Sequence, residues 1–445
     1  MKIELYHIFR HFHFTIFVYP IGLDALKLWA EACGWKACVS VCRESKVRIS
    51  LEADVVGFSV YTQTAPAAYR LADKFRSKGK IVIFGGPHFR GPATYNEAAP
   101  HCDVIVNSIC EDQWKVLLDD IVAGRISPGS QKPRCIIDTK GRFRYPDNFY
   151  ESTRSLKWYQ FPSIPTSIGC PYACSFCSPY LPGRYLLRDI KTIYNEALHI
   201  AGRIIFLCDA TFGLSKKFTI ELMHVLAPLK MNICVETTLA RLNDREIVDA
   251  LALGGVKWVI VGIESPSLKL KKHGSREIKE TSRRIIDYLH HRGIFIQGNF
   301  ICGLDSDGPE SFDLIHKLYR KLNLDGIMLD ILTPYPNTEL YENLESQGRI
   351  IDRNWEHYDY RHVVYRPRRM TADQLIDGYL QLCRMTFKTR FVLNDMLRIF
   401  RDKGFNKASA VVVANKLYFK VDALKKEKVF RKNQTQMQLI RQTTP

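Results

Sequence analysis

The chain has 445 residues, 46% of them apolar, which is enough for two or three separate cores, and no run of roughly 18 apolar residues suggests a membrane span. The opening stretch MKIELYHIFRHFHF lacks a cleavable secretory pattern, so a cytoplasmic protein is expected, with its 13 cysteines as thiols or metal ligands rather than a disulfide framework. The net charge is +18, and Arg384–Pro445 carries 15 Lys and Arg against 4 Asp and Glu; nucleic acid or a membrane surface could use that excess, but no aromatic–basic interleaving accompanies it, and a solvated helical tail is the preferred reading.

The first 125 residues alternate strand-like runs (KIELYHIF, ADVVGFSVY, KIVIFGG, DVIVNS) with helical ones (LDALKLWAEACG, AAYRLADKFRSKG, EDQWKVLLDDIVAG). This order predicts a Rossmann-like parallel sheet with helical crossovers. Ligands of such sheets bind at the carboxyl ends of strands, which singles out Ser59–Gln63 and Gly85–Phe89. Residues 126–162, rich in Pro, Gly, Arg and Asp, read as a linker. From 163 to 366 the alternation resumes with six strand candidates, IPTSIG, RIIFLC, MNICVETT, KWVIVGIE, IFIQGNFICG and GIMLDILTP. Six βα units predict an incomplete barrel with its chemistry at the strand ends. Glu236 ends the third of these strands and is a candidate on that ground. Arg241, further on, could meet a carboxylate but is set aside. From 367 to 445 the pattern is helical and basic; TADQ at Thr371 fits a helix N-cap, and the final stretch KKEKVFRKNQTQMQLIRQTTP, from Lys425, is expected to be partly disordered.

Cys170, Cys174 and Cys177 lie in SIGCPYACSFCSPYLPGR with C-x3-C-x2-C spacing. Thiolates so close together suit zinc or an iron–sulfur cluster, but a structural zinc site wants a fourth protein ligand and none is near. A [4Fe–4S] cluster on three cysteines leaves one iron open to a cofactor or substrate. Cys33, Cys38 and Cys42 are read as falling on different faces, and Cys102 and Cys110 as small buried apolar residues.

The three-cysteine spacing, with Phe176 before the last cysteine, resembles the signature of the radical S-adenosylmethionine (SAM) superfamily. RIIFLCDATFG, GGVKWVIVGIESPS, RGIFIQGNFICGLDSDGPESF and LTPYPNTELYENLESQGRIIDRNWEHYD resemble later segments of its cobalamin-binding branch. VVGFSVYT and KIVIFGGPHF are similar to the Ser-containing strand and Gly-Gly-x-His turn of that branch's cobalamin-binding domain. The resemblance implies a [4Fe–4S] cluster on Cys170, Cys174 and Cys177, SAM chelated to its open iron, and a 5′-deoxyadenosyl radical. It places Phe176 and Pro334 near the adenine, Asp209 near the methionine amino group, and Glu264, Ser265, Asn299 and Gly303 along the adenosyl pocket. For cobalamin it implies Ser59, Tyr61, Thr62, Gln63, Gly85, Gly86, His88 and Glu111; His88 either approaches the cofactor or caps its turn, with the turn preferred. The usual Gly-Glu-Gly-Glu turn reads SICE here, the usual Gly-Leu-Pro reads GLD, and a Pro-Gly-Thr reads PNT, where Asn337 is expected to accept a left-handed backbone.

The function implied is a methyltransferase acting on an unactivated carbon of a small-molecule or peptide substrate, fed by a flavodoxin- or ferredoxin-type electron donor. A non-methylating cyclisation, rearrangement or oxidation is the alternative. A tRNA methylthiotransferase-like enzyme fits less well, because no second three-cysteine cluster is supported and the tail reads as helical.

Overall fold

Short branched runs separated by three-turn helices bury both faces of each strand, and this favours parallel sheets. The computed structural model describes residues 1–9, 20–49, 52–130, 132–137, 144–146, 149, 161–172, 174–177, 184–200, 203–266, 278–404, 409–414, 416–421 and 423–425. The chain divides into two units: Met1–Ile200 with Pro334–Gly348 and Arg353–Asp359, and Ala201–Thr333 with Arg349–Asp352 and Tyr360–Pro445.

In the first unit, β1 (Lys2–Phe9), β2 (Lys36–Arg43), β3 (Val55–Ser59), β4 (Ile81–Gly85), β5 (Val104–Val106) and β6 (Arg134–Ile136) form a parallel sheet in the order β2-β1-β3-β4-β5-β6. Helices α1 (Ile21–Ala32), α2 (Ala65–Arg76), the short α3 (Tyr95–Ala98) and α4 (Glu111–Val122) follow the strands. Side chains alternate across the sheet. Ile3, Leu5, Val55, Ile83 and Val104 join Leu28, Trp29, Leu117 and Leu118 from α1 and α4 in one core. Tyr6, Ile8, Val56, Phe58 and Phe84 join Leu71, Ala72 and Phe75 of α2 in another. The strand β6 falls within the stretch expected to be linker. Two of its three residues are exposed, so it carries no apolar signal. Cys38 and Cys42 stand four residues apart on β2 and therefore share a face, which corrects the expectation that they diverge; Cys33 caps α1.

Next come β7 (Ser163–Ile164), β8 (Ser167–Ile168), β9 (Leu186–Leu187) and α5 (Ile190–His199). The expected strand IPTSIG is thus interrupted, and Pro165, which cannot donate to a ladder, stands at the break.

The second unit holds β10 (Ile204–Leu207), β11 (Asn232–Thr237), β12 (Val256–Glu264), β13 (Phe295–Cys302) and β14 (Gly326–Ile331), each pairing parallel with the next. Between them run α6 (Lys216–Leu226), α7 (Leu239–Leu242), α8 (Arg245–Leu253), α9 (Ile278–His291) and α10 (Ser311–Leu322). The following α11 (Glu339–Ser346) belongs to the first unit.

The single helical run expected after Thr371 is two helices, α12 (Ala372–Thr386) and α13 (Thr389–Lys403). Thr371 caps α12 as expected: its Oγ1 accepts from the Gln374 N–H and its own N–H donates to Gln374 Oε1. Beyond α13, the buried Lys416 ammonium lies 2.5 Å from Asp395 and donates to the Tyr319 hydroxyl and the Asp325 carbonyl, pinning the last described segment to α10 and α13. Of the stretch from Lys425 where partial disorder was expected, Lys425 is helical and residues 426–445 lie outside the described residues. No helix of the described residues is long and apolar enough to cross a membrane.

Candidate functional site

The three-cysteine loop hangs between two short antiparallel strands, with Ser167 opposite Leu187 and Ile168 opposite Leu186. Gly169, at φ +87°, turns the chain into the loop. Arg188 locks the stem. Its N–H donates to the Thr166 carbonyl, and its guanidinium donates to the Pro165 carbonyl and to both oxygens of Glu196 on α5, at 2.6 and 3.0 Å. Within the loop the Cys177 N–H donates to the Cys174 carbonyl, and the Leu340 N–H at the start of α11 donates to the Ser175 carbonyl. Cys170 is buried, Cys174 half-buried and Cys177 exposed, with Phe176 half-buried beside it. Among the described residues no three His, Cys, Asp or Glu side chains converge as a formed metal-ion site. The fit to a cluster is therefore one of donor chemistry: three thiols within eight residues, on a hydrogen-bonded stem, graded from buried to exposed.

In the second unit the expected residues sit at strand ends. Asp209 is buried just past β10, and the Phe212 N–H donates to the Glu236 carbonyl, with the Thr237 hydroxyl donating back to the Phe212 carbonyl. Strand β12 shifts register between Gly262 and Glu264, and Glu264 itself takes φ +63°, a strained conformation for a residue with a Cβ. The next residue, Ser265, donates to Asp307 Oδ1 at 2.6 Å, while Asp307 Oδ2 accepts from the Gly303 and Leu304 N–H groups at 3.0 Å each. One buried carboxylate thus ties the ends of β12 and β13. Gly303 has φ +98°, and a Cβ there would lie 2.4 Å from the Tyr365 hydroxyl, so only glycine fits. The departure Asp305 is paired by Arg349 and Arg368. One face of this sheet carries Glu236, Gly262, Gln297, Asn299, Ile301, Met328 and Asp330 by register, and Gln297 donates to Asn299 Oδ1 at 2.9 Å. Arg241 stands near Gly213 past β11, its Nε buried and without a hydrogen-bond partner among the described residues. Pro334 is buried and belongs to the first unit.

At the carboxyl edge of the first sheet, the last rung on the α1–α4 face is His7, Ser59, Gly85 and Val106. Gly86 has φ +101°, and a Cβ there would strike the Val60 backbone at 2.6 Å. The turn it makes carries His88, which is fully buried. Its Nδ1 shares a hydrogen bond with Thr62 Oγ1 and its Nε2 with the Tyr69 hydroxyl, both at 3.2 Å, and Trp355 packs edge-on at 5.5 Å. Burial lowers its pKa to about 3, so the ring is neutral. His88 thus holds its turn with both nitrogens engaged. Tyr61 is partly exposed, Gln63 half-buried, and Glu111 is the exposed first residue of α4. His7 is buried, its Nδ1 has no hydrogen-bond partner among the described residues, and Tyr61 packs edge-on against it at 5.3 Å.

Residues 164–319 match the radical SAM superfamily. That segment is a radical SAM domain. The chain is 26% identical over 358 residues to the bacteriochlorophyllide d C-12(1)-methyltransferase of Chlorobaculum tepidum, covering 77% of this chain and 76% of that protein. It is 25% identical over 382 residues to the anaerobic magnesium-protoporphyrin IX monomethyl ester cyclase of Rubrivivax gelatinosus, covering 77% and 67% respectively. Among solved structures, the radical S-adenosylmethionine methyltransferase TsrM of Kitasatospora setae, with cobalamin and a [4Fe-4S] cluster bound, shares the fold with a TM-score of 0.58 at 17% identity, over 78% of this chain and 75% of that one.

Within the radical SAM domain, Arg188, Asp307 and Gln297 escaped sequence reasoning, as did His7 outside it. Asp307 lies in GLDSDGPES, where the repeated acid two residues apart was a signal. The others carried none, since their importance comes from partners distant in the chain.

Proposed function

We propose that this chain is a cobalamin-dependent radical SAM methyltransferase acting on an unactivated carbon of a small-molecule or peptide substrate. The observation that carries the reading is the combination, in one chain, of a three-thiol loop with a parallel sheet whose carboxyl edge sets Ser59 and Gly85 beside the buried His7, its Nδ1 without a hydrogen-bond partner among the described residues. Similarity to a methyltransferase over three quarters of both chains supports it. Cys170, Cys174 and Cys177 would hold a [4Fe–4S] cluster. Asp209 and Glu236 would meet the amino group of SAM, and Glu264, Ser265, Asn299 and Gly303 its adenosyl part, with Phe176 and Pro334 against the adenine. Ser59, Tyr61, Thr62, Gln63, Gly85, Gly86 and Glu111 would receive cobalamin, with His88 supporting the turn. When bound, the cluster with SAM supplies a 5′-deoxyadenosyl radical and cobalamin carries the methyl group; the protein's part is to hold and orient them and to exclude water. A flavodoxin- or ferredoxin-type protein would supply electrons.

The test is anaerobic turnover of the reconstituted chain with SAM, reductant and candidate substrates. Equimolar S-adenosylhomocysteine and methylated product are expected. Similarity to a cyclase favours a second reading, a radical ring closure without methyl transfer. Deoxyadenosine formed with substrate but without S-adenosylhomocysteine would establish that reading and overturn the first.

A further inference from the structure

The helices that close the second unit carry apolar side chains on both faces. A helix packed on a domain is expected to bury one side and turn a polar side to water. Helix α13 buries Val392, Asp395 and Ile399. Leu393 and Leu397, one turn apart, stand away from Asp395; Leu397 is 68% exposed, the highest value for a large apolar side chain among the described residues. The segment beyond α13 is helical at 409–414, 416–421 and 423–425. It buries Ser409, Val412, Val413, Lys416 and Ala423, while Ala410, Ala414, Leu417, Val421 and Leu424 are exposed. Steps of three and four residues put the exposed set in one apolar stripe. Lys416 lies 2.5 Å from Asp395, and Lys420 Nζ donates to Thr389 Oγ1 at 2.8 Å, so the segment runs antiparallel along α13.

Single exposed leucines are ordinary, but apolar side chains in rows on two adjacent helices mark an interaction surface. Charge selects what it meets. Arg384–Pro445 carries 15 Lys and Arg against 4 Asp and Glu, and one of those acids, Asp395, is buried on Lys416. Lys388, Arg390, Arg401 and Lys425 are exposed toward the ends of the two helical segments. Solvation alone accounts for the basic residues but not for the leucines between them. A helix of a second copy could use a stripe with this spacing, yet it would press one basic surface against another. Nucleic acid would answer the charge and leave the leucines unused. An anionic lipid surface answers both: its headgroups meet the cations, and the boundary beneath them takes up apolar side chains.

We propose that the outer side of α13 and of the segment after it is a peripheral docking surface for an anionic lipid bilayer. Leu393, Leu397, Leu417, Val421 and Leu424 enter the headgroup boundary, and the flanking Lys and Arg side chains bind the headgroups. The test is flotation of the full chain with vesicles of phosphatidylcholine alone or of equal parts phosphatidylcholine and phosphatidylglycerol, over a range of salt. The wild type should bind the mixed vesicles about tenfold or more tightly than the neutral ones, and salt should weaken that binding. Leu397→Gln with Leu417→Gln should lose about tenfold on the mixed vesicles at every salt concentration, because the apolar attraction is not screened. Lys388→Glu with Lys425→Glu should lose about tenfold or more at low salt, and the loss should shrink as salt rises. Both pairs replace exposed side chains, so the melting temperature should stay unchanged. Failure of the wild type to bind the mixed vesicles overturns the proposal, as does binding that the glutamine pair leaves intact. A dimer in sedimentation equilibrium that the glutamine pair dissociates would give the stripe to a second copy and overturn it as well.

Discussion

Replacing Asp307 tests whether one carboxylate organises the strand ends of the radical SAM domain. It is 1% exposed and accepts three hydrogen bonds, from Ser265 Oγ and the Gly303 and Leu304 N–H groups. Asp307→Ala leaves two buried backbone donors and a buried hydroxyl without this acceptor. At about 1–3 kcal/mol for each of the three unsatisfied groups, the expected loss is roughly 3–9 kcal/mol, a large share of the roughly 5–15 kcal/mol that stabilises an ordinary domain. Asp307→Asn keeps an oxygen for the two N–H groups and turns its amide toward Ser265, whose hydroxyl can rotate to accept. Only the charge assistance is lost, about 1–2 kcal/mol. Ser265→Ala removes one of the three bonds and should fall in the same range. Urea denaturation followed by far-UV circular dichroism gives the three values, with SAM retention measured in parallel. The order Ala much worse than Asn, and Asn similar to Ser265→Ala, is the expectation. An Asp307→Ala protein within 1 kcal/mol of wild type would show that the carboxylate does not organise these ends.

Cys170→Ala, Cys174→Ala and Cys177→Ala should each abolish retained iron and sulfide together with deoxyadenosine formation, with far-UV circular dichroism unchanged; normal turnover by any of the three would exclude the loop as the cluster site. Acidification should destabilise the first unit through its buried imidazoles. His88 and His7 have folded pKa values lowered by burial to about 3 and about 4, below the unfolded value of about 6.5, so the unfolded chain binds protons first. Their contribution is complete above about pH 6.5 and is lost as pH falls toward the folded values, about 2 kcal/mol each by pH 5, read as unfolding free energy against pH; a flat profile over that interval would contradict it. Lys416→Met should cost about 3–5 kcal/mol, because it removes the nearer cation from the buried Asp395 and leaves it the more distant Arg320 and the Tyr319 hydroxyl. Lys416→Met with Asp395→Asn should cost less than the two single changes summed, measured as a double-mutant cycle by denaturation.

The parallel sheets were legible because buried strands announce themselves as unbroken branched runs, as in VVGFS at β3 and VKWVIVGIE at β12. What stayed hidden had weaker local signal. The strand β6 is short and mostly exposed, and the stem strands β8 and β9 are two residues each, held by Arg188 rather than by apolar patterning. The strand-end residues Glu264, Ser265 and Gly303 were legible through motif resemblance. The bulge and left-handed φ at Glu264 were not, because they depend on how β12 registers against β13. His7 looked like one more position in an apolar strand; only the packed structure shows its imidazole buried with Tyr61 edge-on against it.

Asn337 shows why a change in a motif can be more than tolerated. The expected left-handed backbone is there, at φ +63°, which a glycine would supply equally well. A glycine could not supply the side-chain oxygen that accepts from the Ala93 N–H at 3.1 Å. Ala93 belongs to the loop that follows His88, and three residues after Asn337 the Leu340 N–H donates to Ser175 between the second and third loop cysteines. Trp355 adds to this, donating to Glu97 and packing on His88. Strand alternation assigned 334–348 to the barrel, yet these bonds hold it in the first unit, with the cysteine loop at one end and the turn of His88 at the other. The segment carrying PYPNT therefore acts as a brace between the two places in this unit where cofactors are proposed to bind. The asparagine strengthens that brace by one hydrogen bond at the position where backbone conformation alone would have sufficed for the turn.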